Sequence, residues 1–156
     1  MKTHLNFIFL LLFVYQLMPA QALNEKNLQG SWSVKAVDIG IAYVDYTKDS
    51  VHLADKLTAG RTTDEIAVIK KSFLDSFDNI KNFKIDFYEG SSMKITISND
   101  RVMENRPYTV VKKDNKYFIK DTESKDELPA SMAKGLLYVE FPKDATSTFT
   151  AIFHKE

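Results

Sequence analysis

The chain has 156 residues, no cysteine, 21 basic and 21 acidic side chains, and 44% hydrophobic residues. That length fits one domain with a core of its own, and zero net charge excludes a nucleic-acid binder that works through a basic field. Five glycines and four prolines exclude a collagen-like or disordered chain, and the missing cysteines exclude disulfide scaffolds, thiolate zinc sites and thiol catalysis together.

The first element in chain order is a leader. Lys2 precedes a largely apolar stretch from Leu5 to Met18, whose uninterrupted part, Phe7 to Tyr15, is far shorter than the roughly 20 residues of a membrane-spanning helix. Ala20 and Ala22 then supply the small residues a signal peptidase accepts. Residues 1–22 therefore read as a secretory signal cleaved after Ala22. Residues 23–156 form the exported domain, secreted or periplasmic, with no integral membrane segment. No cysteine follows the apolar run to carry a lipid, and no Asn-x-Ser/Thr acceptor is present, a pattern that leans towards a bacterial envelope or secreted protein.

From Gly30 the chain alternates, with Trp32, Val34 and Ala36 on one face, and so predicts a half-buried strand. Residues 39–46 are apolar without clear alternation and stay unassigned. Val51, Ala54 and Leu57 fit one side of a short helix ended by Gly60. Thr62 and Glu65 have the spacing of a capping box, opening a second helix whose apolar positions are Ile66, Ile69, Phe73, Phe77 and Ile80.

Period two then returns. Phe83, Ile85 and Phe87 share a face, a turn falls at Glu89-Gly90-Ser91, and Met93, Ile95 and Ile97 share the next face. Tyr108 and Val110 pair across the Asp114-Asn115 turn with Tyr117 and Ile119. The polar stretch from Glu123 to Lys134, interrupted by Pro129, reads as a loop with a helical turn. Leu137, Val139 and Phe141 form one closing strand and, after a turn at Pro142-Lys143-Asp144, Phe149, Ala151 and Phe153 form the last. Seven or so antiparallel strands, each with one wet and one dry face, cover the dry face by closing into a barrel. The expected fold is thus mostly β: a single antiparallel up-and-down barrel, with a helix pair inserted between the first two strands to cap its open end.

Gly30-Ser31-Trp32, opening the first strand just after the leader, resembles the Gly-x-Trp signature of the calycin superfamily, the lipocalins and fatty-acid-binding proteins. The resemblance implies a lipocalin-like barrel whose closed end is plugged by Trp32, with Gly30 letting the entering chain pass close to the strand. The helix pair is similar to the portal lid of fatty-acid-binding proteins. The arginine that lipocalins pack over this tryptophan from the last strand, and the Arg-x-Tyr of fatty-acid-binding proteins, have no match in Phe149 to Glu156. A small bacterial lipocalin-like domain fits best.

Catalysis finds little support in the sequence. His52 and His154 lack metal-ligand spacing, and a solvated helix face and a strand terminus account for them. Asp64-Glu65 suits a helix start, Asp126-Glu127 a polar loop, and Lys112, Lys113 and Lys116 a solvated turn. No cofactor, metal or nucleic acid is expected. The aromatic set carries the functional reading: Trp32, Phe73, Phe77, Phe83, Phe87, Tyr108, Tyr117, Phe149 and Phe153 line a pocket for a small apolar or amphipathic molecule, with Arg101 or Arg106 to meet an anionic headgroup. The alternative is a barrel filled by those same side chains that acts on a protein partner through its surface, as an inhibitor or envelope-complex subunit.

Overall fold

The computed structural model describes residues 22–98, 101–142 and 147–156. The expected leader, apart from Ala22, and most of the Pro142-Lys143-Asp144 turn lie outside the described residues. A one-turn helix α1 (Glu25–Leu28) leads into β1 (Gly30–Asp38), β2 (Ala42–Asp45) and β3 (Ser50–Leu53). The helices α2 (Asp55–Thr58) and α3 (Thr63–Ser76) and a 3-10 turn (Asp78–Ile80) follow. Then come β4 (Lys84–Tyr88), β5 (Ser92–Ser98), β6 (Arg101–Lys113), β7 (Lys116–Asp121), β8 (Glu127–Ala133), β9 (Leu136–Pro142) and β10 (Thr148–Lys155).

Every pairing is antiparallel, and β10 returns to pair with β1. The closed ring is therefore eight strands, β1 and β4 to β10. The barrel matches the expected fold class, and two details differ. The helices come after β3, not between the first two strands. They are preceded by the β2–β3 hairpin, which pairs with the second half of β1 where β4 has left it: Gly30 to Ser33 face β4, while Ala36 to Asp38 face β2.

Residues 39–53 concealed this hairpin because each strand is only four residues long. Val44 and Val51 pair directly and continue the row begun by Val37, so Val51 obeys a period of two and not the helical spacing. The polar turn between them is built by Asp45, which is buried and accepts hydrogen bonds from the Thr47 and Lys48 amides and the Thr47 hydroxyl.

Residues 127–133 form β8, correcting the loop expected there. Pro129 sits opposite Phe118 of β7, while pairing with β9 begins only at Ala130, so the missing amide hydrogen falls where that ladder has not started. A register shift between Val34 and Ala36 also turns the upper part of β1. Val37, opposite Ala151, takes over the inward row, and Ala36 faces Ile152. The Asp114-Asn115 turn has both residues at positive φ, 46° and 64°, as a two-residue hairpin requires. The capping box forms as expected, with Thr62 accepting from the Glu65 amide and the Glu65 carboxylate accepting from the Thr62 amide.

One buried cluster runs through the barrel, from Leu23, Leu28 and Trp32 to Leu137, Val139 and Phe153. At its lower end one carboxylate ties α1 to β6. Glu25 accepts from the Val110 amide at 2.8 Å and the Thr109 hydroxyl at 3.2 Å, on the edge of β6 that extends past the end of β5. The Val110 amide holds this carboxyl below its ordinary range, against the opposing effect of burial. A depressed folded pKa stabilises the fold above the unfolded value and is lost as pH falls through the folded one. Glu25→Gln should therefore flatten the acid limb of the stability curve below about pH 4.5, measured as urea midpoints against pH; an unchanged limb would remove Glu25 from the account.

Candidate functional site

The inward row of each strand places the aromatic side chains in two groups. At the closed end, Trp32 is 2% exposed and its indole Nε1–H donates to the Leu28 carbonyl at 2.6 Å, so α1 and the first strand lock together. Lys155, opposite Trp32 on β10, sets its Nζ 5.4 Å from the indole ring centre. The last strand thus supplies a cation over this tryptophan. Gly30 has φ of 113°, and a Cβ built on it meets Lys155 Cε at 2.8 Å. The glycine is needed for its backbone conformation, while the end of the flexible lysine chain could swing aside from a Cβ.

Phe87 and Tyr108 pack edge to face at 5.0 Å in the same lower half. Tyr108 is buried and its hydroxyl has no hydrogen-bond partner; burial, with Glu25 nearby, pushes its pKa up to about 12. A phenol this far from its ordinary range stays neutral at any physiological pH.

At the other end a continuous aromatic ladder climbs out of the core. Phe153, fully buried, meets Phe83 at 5.3 Å, and Phe83 meets Phe141 at 5.2 Å. Phe141 stacks on Phe149 at 5.6 Å and 23°, and Phe149 takes the edge of Phe77 at 6.4 Å, just past the end of α3. Exposure rises along the ladder. Phe83 and Phe153 are buried, whereas Phe141 and Phe149, directly paired across β9 and β10, are only half-buried although their row faces inward.

Of the nine aromatics singled out from the sequence, six are buried and Phe73, Tyr117 and Phe149 are half-buried. The structure brings Phe77, Phe83, Phe149 and Phe153 into the ladder and gathers Trp32, Phe87 and Tyr108 near the plug. Phe73 packs on the edge of the core from α3, and Tyr117 carries the Lys112 ammonium over its ring at 5.4 Å. The ladder's missing member was Phe141, which the alternation of β9 had already placed on the inward face. Lys155 was harder to find, because a lysine at a strand end reads as solvated.

The charged candidates resolve differently. Arg106 is engaged by Asp121 at 2.8 Å and by Glu123, and so already has its anions. Burial pushes the Asp121 carboxyl up, but Arg106 and the Glu123 and Ser124 amides outweigh it and hold it below its ordinary value. Arg101 is exposed at the start of β6. His52 lies on β3 beside the Tyr43 ring, not on a helix face, and the buried His154 Nδ1 has no partner. Among the described residues, no three His, Asp or Glu side chains are grouped to hold a metal ion.

Two open grooves mark the outside. One of about 490 Å³ lies between the end of α3 and the β2–β3 turn, bordered by Tyr46, Asp49, Leu74 and Asp78. The other, about 430 Å³, runs over the outer face of β8 to β10 past Pro129, Ser131, Tyr138 and Glu140. No known protein-family model matches the chain, and no curated protein matches it.

Proposed function

We propose that this chain is an exported, non-catalytic, lipocalin-like protein that holds a small apolar or amphipathic molecule in the mouth of its barrel. The observation that carries the reading is the Phe141–Phe149 stack, two rings on the inward face that are only partly buried while the ladder below them is buried. An inward aromatic face left partly open is apolar surface that a ligand can remove from water, at about 25 cal/mol per Å². The depth of the site is limited, since Trp32, Phe87, Tyr108 and Phe153 fill the lower barrel. That filling favours the second reading, a packed barrel that engages a protein partner through its surface.

The Gly-x-Trp signature, with Lys155 over the indole, supports placing the domain among the calycins. The leader supports export. With Arg106 committed to Asp121 and Glu123, a neutral ligand is favoured over a carboxylate. Native mass spectrometry of the chain from Leu23, mixed with neutral lipophiles and with fatty acids, tests the reading. A one-to-one adduct stronger with the neutral panel is expected. A folded charge-state distribution with no adduct from either panel would overturn it in favour of the packed barrel.

A further inference from the structure

The bond read as the cleavage site lies within the described residues, and the fold holds both sides of it. The Ala22 carbonyl, the group a peptidase attacks, accepts a hydrogen bond from the Asn27 side-chain amide at 2.8 Å. Leu23 follows at 3% exposure and belongs to the same buried cluster as Leu28 and Trp32. Asn24 then caps α1, accepting from the Asn27 amide at 2.9 Å, so residues 22–28 form one folded unit. That unit is seated by the rest of the domain. Glu25 accepts from the Val110 amide and the Thr109 hydroxyl of β6, and the Leu28 carbonyl accepts from the Trp32 indole.

The seat is assembled late. Its β6 side, at Val110, lies 85 positions along the chain from Glu25. The barrel that buries Leu23 and Trp32 closes only when the last strand, β10, pairs with the first. A chain that crosses a membrane from its N-terminus therefore delivers Ala22 and Leu23 before the strands that bury them have arrived.

We infer that the folded domain withholds the Ala22–Leu23 bond from signal peptidase, so that the leader is removed before α1 seats. The inference rests on the reading of residues 1–22 as a cleaved leader. Hydrolysis adds water across the Ala22–Leu23 peptide bond and leaves a carboxylate on Ala22 and an ammonium on Leu23. A peptidase takes the residues on both sides of the bond in extended form. In the folded chain Leu23 must first leave the core and the Asn27 hydrogen bond must break, so cleavage runs only through the small population that opens locally. Leu23 is then both the first residue of the exported chain and part of the packing that seals its closed end. Pairing the first strand with the last keeps the bond open to the peptidase until export is nearly complete.

Full chains from Met1 to Glu156 in a mild detergent, mixed with a bacterial type I signal peptidase, test this. The folded wild type is compared with Trp32→Ala/Phe83→Asp, a double variant shown to be unfolded by circular dichroism, whose residues 1–31 are unchanged. The unfolded chain should be cut after Ala22, read by intact-mass spectrometry, at least about ten-fold faster than the folded one, the effect of burying one leucine and holding one hydrogen bond. Leu23→Ala, which loosens the seat and keeps Ala20 and Ala22, should leave the barrel folded and speed its cleavage several-fold. Equal rates for the folded wild type and the unfolded variant, or a Leu23→Ala chain as resistant as the wild type, would overturn the inference and leave the leader reading standing. An unfolded chain that is not cut, or is cut at another bond, would overturn the leader reading and the inference with it.

Discussion

Trp32→Ala should lower the stability of the domain by about 3–5 kcal/mol, the cost of truncating a fully buried large aromatic. The side chain is 2% exposed at the base of the barrel, and three neighbours depend on it. The Leu28 carbonyl loses its donor, α1 loses the anchor that seals the closed end, and Lys155 loses the ring beneath its ammonium. Because Trp32 is the only tryptophan, the measurement must be urea unfolding followed by circular dichroism; the midpoint should fall with the slope nearly unchanged. Lys155→Met, which keeps the aliphatic stem and removes the charge, should cost only about 0.5–1 kcal/mol. Comparable losses in the two variants would mean that the cation, and not the buried indole, closes this end. A loss below about 1 kcal/mol for Trp32→Ala would mean that the plug is dispensable.

The barrel was legible because its strands are long enough to show their period. β5, β9 and β10 each have at least seven residues and an unbroken apolar inward row: Met93, Ile95 and Ile97, then Leu137, Val139 and Phe141, then Phe149, Ala151 and Phe153. Where that condition failed, the reading failed with it. β2 and β3, at four residues each, present two inward side chains apiece, too few to separate a period of two from one of 3.6. β8 was hidden by Pro129, whose usual meaning in a strand is overridden because β9 has not yet begun to pair there.

The site was legible as composition and not as arrangement. Alternation placed Phe83, Phe149 and Phe153 inward, but nothing in the sequence says which rings touch or which remain half-open. Those properties depend on the shear of the barrel and on where α3 ends. The same limit applies to Arg106, whose acidic partners Asp121 and Glu123 lie some fifteen positions away and meet it only because β6 and β7 are paired.

The aromatic ladder yields the second large effect, and the contrast within it separates fold from function. Phe83 is 6% exposed and touches both Phe141 and Phe153, so Phe83→Asp loses a core ring and buries an unpaired carboxylate among aromatic faces. The first costs about 3–5 kcal/mol and the second several more. Together they rival the 5–15 kcal/mol that holds a typical domain, so this variant should be unfolded at neutral pH by circular dichroism. Phe149→Asp meets a different environment. Its ring is half-buried at the mouth, and a carboxylate there can reach water. That variant should keep the wild-type far-ultraviolet spectrum while its affinity for a neutral lipophile falls at least ten-fold, because the stack with Phe141 is gone and a charge faces the ligand. A folded Phe149→Asp protein that binds the same neutral lipophile as tightly as the wild type would place the ligand elsewhere than the barrel mouth. A folded Phe83→Asp protein would mean that the interior admits water deeply enough to hydrate a carboxylate, and a barrel that wet at its centre has a cavity reaching far below the Phe141–Phe149 stack.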